Sequence, residues 1–161
     1  EAAIEELVEV SRSTGAVAFN IIPDRNYTPN SPDQKLANLQ HVIRLTEDLG
    51  LPLIGGTEMN SPGQKFVDDF DSAELNPHRD SFLAGGRILH AHSTLQKGRG
   101  MGYLSDWAAG NFSDVHSKND FYAEFGKVFS PRGENALLDR LDHEMNPQQV
   151  LSLASEAMGR S

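Results

Sequence analysis

The stretch LPLIGGTEMN, Leu51 to Asn60, restricts the choice of fold more than any other part of the chain. It is a short apolar run closed by two glycines and followed by Glu58 and Asn60. That pattern reads as a strand buried on both faces with polar residues at its carboxyl end. Ala16 to Ile22 (AVAFNII) is a second, nearly continuous apolar run, closed by Pro23. Between them the end signals of a helix are clear: Ser31 as cap, Pro32 at the first helical position, and Gln34 completing a capping box. Leu36, Leu39, Val42, Ile43 and Leu49 give that helix one apolar stripe, and Gly50 supplies a left-handed stop. Strand, helix and strand with tight connections make a βαβ unit, with parallel strands and a right-handed crossover.

The flanking sequence extends the alternation. Ile4, Leu7 and Val8 against Glu5, Glu6 and Glu9 predict a short amphipathic helix over residues 2–12. Residues 61–71 are polar and turn-rich and read as a loop. Asn76-Pro77 starts a short helix through Phe82 and Leu83 that stops at Gly85-Gly86, and Arg87 to His92 (RILHAH) then reads as a third strand. Beyond Leu95 only helices are expected. One is capped by Ser117 with Asp120 and carries Phe121, Phe125 and Val128; Ser130-Pro131 and Asn146-Pro147 introduce two more, with Leu137, Leu138 and Leu141 on the first and Val150, Leu151, Leu153, Ala154 and Met158 on the second. The fold expected is α/β, part of a (β/α) barrel-like fold with parallel strands and a mostly helical C-terminal third. With no internal repeat, residues 1–161 read as a single domain. The chain opens on Glu1 rather than Met, and it is expected to be the C-terminal portion of a longer one.

Charge and cysteine content narrow the chemistry. Lys and Arg number 14 against 23 Asp and Glu, a net charge of −9, which repels phosphate backbones and argues against nucleic acid as a partner. No apolar window is long enough to span a bilayer, so no membrane association is expected. The absence of cysteine removes thiolate metal sites and cysteine nucleophiles, and fits a cytoplasmic protein.

In α/β sheets, polar residues at the carboxyl ends of parallel strands gather on one rim, where ligands bind. Asp24, Arg25 and Asn26 follow the first strand, Glu58 and Asn60 the second, and His90 and His92 lie on the third. On a strand, residues two apart share a face. A carboxylate from one strand end with an H-x-H pair from another is a candidate site for a divalent metal (zinc, manganese or iron) that would acidify a bound water. Read for their structural roles alone, the same residues are hydrogen-bonded histidines and loop-holding carboxylates. Lys97 and Arg99, in the glycine-rich loop Gln96 to Tyr103, are candidates to hold a small anionic substrate. Tyr103 and Trp107 nearby are candidates to pack over a ligand, although aromatics so placed are more often core.

With these residues in view, the chain resembles the PHP (polymerase and histidinol phosphatase) superfamily of metal-dependent phosphoesterases. Ile22-Pro23-Asp24-Arg25-Asn26 resembles the strand end Thr-Asp-His-Asn of that family, and Leu53 to Glu58 (LIGGTE) resembles its Gly-x-Glu strand end. Arg25 stands where the family places a metal-binding histidine, and His90-Ala91-His92 resembles its opening motif in a later position. The resemblance implies a distorted (β/α) barrel that hydrolyses phosphate esters with two or three metal ions. Glu58 would then bridge metals, Asp24 would sit beside the cluster, and His90 or His92 would match a later ligand. The function expected is a metal-dependent hydrolase of a phosphate ester or similar small anion. Two alternatives stay open: a non-catalytic ligand- or partner-binding α/β domain, and a metal-independent sugar lyase or isomerase with Glu58 as general base.

Overall fold

The computed structural model describes residues 2–23, 33–60, 62–63, 66–128, 137–157 and 159. The chain divides into two compact units, Glu1–Gly85 and Gly86–Ser161.

The first unit contains the βαβ element. Helix α1 (Ala2–Ser13) leads to β1 (Phe19–Ile21), then α2 (Asp33–Asp48) and β2 (Leu53–Gly55). The strands are parallel, with Phe19 opposite Leu53, Asn20 opposite Ile54 and Ile21 opposite Gly55. Leu39, Ile43 and Thr46 are the buried positions of α2, the spacing of one helical face. The helix ends as its sequence dictates. Gly50 has φ 63°, its N–H donates to the Glu47 carbonyl at 3.0 Å, and the Leu51 N–H donates to the Thr46 carbonyl at 2.8 Å. These two bonds are a Schellman motif, which satisfies two carbonyls the helix would otherwise leave open. Ser31 and Pro32 lie outside the described residues. Ile21, Leu39, Ile43, Leu53, Leu75 and Phe82 form the core of this unit, with Phe70 set edge-on to Phe82 at 5.1 Å.

The barrel expectation is overturned. Among the described residues the sheet has two strands, and the chain is mostly helical. Arg87 to His92 is not a strand. Helix α3 runs from Arg79 to Arg99, straight through Gly85 and Gly86. Burial along it recurs at Phe82, Gly85, Ile88, Ala91, Thr94 and Leu95, every three or four residues, whereas a strand buries alternate residues. Packing explains why the sheet ends at β2. The Phe19 N–H donates to Pro52 and the Gly56 N–H donates to Ile21, so by alternation Leu53 turns its own backbone groups to the other edge. Gly85 lies against that edge so closely that a Cβ on it would sit 1.7 Å from the Leu53 carbonyl oxygen. The backbone of α3 therefore takes the place where another strand would pair with β2.

The second unit is helical among its described residues. Beyond α3 it holds α4 (Asp106–Asn111), α5 (Val115–Val128) and α6 (Pro147–Ala157). Ser105 caps α4, its Oγ accepting the Ala108 N–H at 3.2 Å. Helix α5 is capped by Asp114 rather than by Ser117 with Asp120: Asp114 Oδ1 accepts the Ser117 N–H at 2.9 Å, and the Ser117 hydroxyl donates to Asp114 Oδ2 at 2.6 Å. Those bonds hold the exposed Asp114 carboxyl below the usual carboxylate range. Asn146 starts α6 as expected from its Asn-Pro pair. Its Oδ1 accepts the Gln149 N–H at 3.0 Å, and Gln149 Oε1 accepts the Asn146 N–H at 2.9 Å, a reciprocal capping box. The core joins Leu95, Met101, Trp107, Phe121, Tyr122, Phe125, Leu137 and Val150. Gly126 lets α5 approach α3, since a Cβ there would lie 2.2 Å from the Arg87 carbonyl oxygen. The helix expected after Ser130-Pro131 begins outside the described residues. Leu137 and Leu141, assigned to it, are buried. Among the described residues no helix is long and apolar enough to cross a membrane.

Candidate functional site

Glu58 stands three residues past the end of β2, on the carboxyl edge of the parallel pair. The approach to it is built from glycine and asparagine. The Gly56 N–H donates to the Ile21 carbonyl at 2.8 Å and prolongs the pairing beyond Gly55. A Cβ on Gly56 would lie 2.7 Å from Asn20 Oδ1, so the Asn20 side chain fills the space a larger residue would need. Chain direction after β2 is thus fixed before Glu58 is reached. The Asn60 amide donates to Glu58 Oε1 and orients the half-buried carboxylate. Asp24, Arg25 and Asn26, expected on the same rim, lie outside the described residues.

The histidines are placed otherwise. His90 and His92 are on α3, and two residues of helix turn through about 200°, so they point to opposite sides. The shared face expected of them required a strand. His92 Nδ1 accepts the Tyr103 N–H at 3.0 Å, and Gln96 Oε1 accepts the Gly102 N–H at 3.2 Å. One turn apart on α3, the two side chains receive successive backbone donors from the turn that follows the helix. Gly102 is compulsory there, because a Cβ would meet Gln96 Oε1 at 2.5 Å and His92 Nδ1 at 2.8 Å. The glycine-rich segment is therefore a packed turn. Its first part, Gln96 to Arg99, completes α3, and Gly100 leaves the helix with φ 67°.

Lys97 and Arg99 also lie two apart on the last turn of α3 and diverge. Lys97 is exposed. Arg99 Nε donates to the Leu141 carbonyl at 2.9 Å, and its Nη2 donates to the Asp139 carbonyl at 3.3 Å. The guanidinium ties the end of α3 to residues 139–141 and is not presented as an anion receptor.

These placements bear on the metal. Glu58 belongs to the first unit and both histidines to the second, where one of them commits Nδ1 to a backbone donor. Among the described residues no three His, Asp or Glu side chains gather where they would hold a metal ion.

No family model, curated protein or solved structure matches the chain.

A group of polar residues that no sequence motif marks surrounds Tyr103. The Tyr103 hydroxyl donates to Asn119 Oδ1 at 2.6 Å, and Lys118 Nζ sits 4.1 Å from its ring centroid. Tyr122 packs edge-on at 5.2 Å and donates its hydroxyl to the Met101 carbonyl at 2.7 Å. Nothing in the spacing of these residues announces the cluster, because α3, the turn and α5 meet only in the folded chain. Burial pushes the Tyr103 hydroxyl up to about 12, pushes Tyr122 up as well, and lowers Lys118. Both tyrosine hydroxyls are spent on bonds within the protein, to Asn119 and to the Met101 carbonyl, and the cluster holds the turn in place. An open groove of about 460 Å³ beside α6 is similar in kind. Arg140 on its wall pairs with Glu156 at 3.1 Å, while Asn146 and Gln149 cap the helix.

Two expected results follow from this geometry. His92→Ala leaves the Tyr103 N–H without its acceptor and lowers stability by about 1–3 kcal/mol, measured by urea unfolding. His92→Asn, which places an oxygen near the lost Nδ1, recovers much of the loss. Raised tyrosine values mean that the folded state favours the neutral phenol. Their contribution is complete below about pH 10, the unfolded value, and is lost as pH rises through about 12 for Tyr103. Absorbance titration should show Tyr103 and Tyr122 ionising late, together with loss of helical circular dichroism.

Proposed function

We propose that the chain binds a small ligand rich in hydroxyl or amine groups at the carboxyl edge of β1 and β2, with Glu58 as its acceptor. The observation that carries this reading is the seat of Glu58: a carboxylate at the end of a parallel βαβ unit, aimed by Asn60 and approached over Gly56, which packs against the Asn20 side chain. Crevices at such edges are where open α/β sheets take ligands. An ionised carboxylate offers only acceptors, so it selects hydroxyl and ammonium donors.

Charge supports the same ligand class and opposes a phosphate ester. Acidic residues outnumber basic ones by more than two to one in Glu1–Gly85, which carries most of the net charge of −9. Of the described basic residues there, Arg79 pairs with Asp71 at 2.9 Å and Arg12 with Glu9 at 3.1 Å. A field of that sign attracts cations and repels phosphate. A sugar or amino sugar fits the donors required, and for such a ligand Glu58 is also the group that would take a proton in an isomerase or lyase. The lack of cysteine agrees with a cytoplasmic setting for this chemistry.

The test is a titration of isotopically labelled protein with a free sugar, an amino sugar and a sugar phosphate. Saturable amide shifts over Gly56 to Asn60 are expected with the first two. Glu58→Gln should weaken binding at least tenfold, about 1.4 kcal/mol. Binding unchanged in Glu58→Gln, or no response at these residues to any of the three, would overturn the proposal. Preference for the sugar phosphate, together with zinc, manganese or iron retained by the wild type and lost in Glu58→Gln, would instead favour metal-dependent hydrolysis.

A further inference from the structure

We draw no further inference here: the strongest candidate, the exposed apolar stripe that Leu7 and Val10 form on α1, is an unpartnered helix face, and nothing in the structure shows what covers it.

Discussion

Gly85→Ala is expected to destabilise the protein by more than about 2 kcal/mol, while Gly86→Ala, one residue on, stabilises it by about 0.5–1 kcal/mol. The contrast isolates packing from propensity. In an exposed helix interior alanine is better than glycine by up to about 1 kcal/mol, because it loses less backbone freedom on folding. Gly86 is exposed and a Cβ there meets nothing within 4 Å, so only that gain operates. At Gly85 the added carbon would sit 1.7 Å from the Leu53 carbonyl oxygen and 2.6 Å from its carbon. Those atoms are backbone in a paired strand and cannot swing aside as a side chain would. Either α3 lifts from β2 or the β1–β2 register distorts, and both expose Leu53 and Phe82, which belong to the same core. Urea unfolding followed by circular dichroism reads both variants. Equal effects of the two substitutions would contradict the close approach of α3 to β2.

Phe125→Ala should cost about 3–5 kcal/mol. Phe125 is 0% exposed and lies in the core that joins α5 to Leu95, Leu137 and Val150. The side chain is a full turn from Phe121, with ring centroids 6.4 Å apart, and Phe121 in turn packs on Tyr122 and Trp107. Removing the ring loses its transfer free energy and leaves a hole that rigid aromatic neighbours fill poorly. Trp107 is the chain's sole tryptophan and is buried in this core, so its emission reports the transition directly. Phe66→Ala is the control: at 74% exposed it should change stability by no more than about 0.5 kcal/mol.

The first half of the fold was legible because its signals are local and agree with one another. Gly50 does stop α2, Leu39 and Ile43 are its buried face, and the two apolar runs do pair in parallel. The Asn146-Pro147 start was legible for the same reason. Helix α3 was not. Its buried face is made partly of Gly85, Ala91 and Thr94, which a hydrophobic pattern does not count. The pair Gly85-Gly86 looks like a stop when seen without the strand that Gly85 must approach. Within RILHAH the run Leu89 to His92 taken alone has the alternation of a strand, and only the wider recurrence from Phe82 to Leu95 shows a helix. The site followed the same division. Glu58 was placed at a strand end by local signals and is found there. The pairing of His90 with His92 depended on the element type, and it fell with the strand.

An H-x-H pair converges on a strand and diverges on a helix, so the element type decides whether His90 and His92 share a face. The most direct test is therefore the backbone conformation of Gly85 to His92 in solution, read from the secondary chemical shifts of the Cα carbons. Helical shifts, continuous from Arg79 to Arg99, are the result expected here. Extended shifts over Arg87 to His92, with a break at Gly85-Gly86, would contradict it and return the two histidines to a common face.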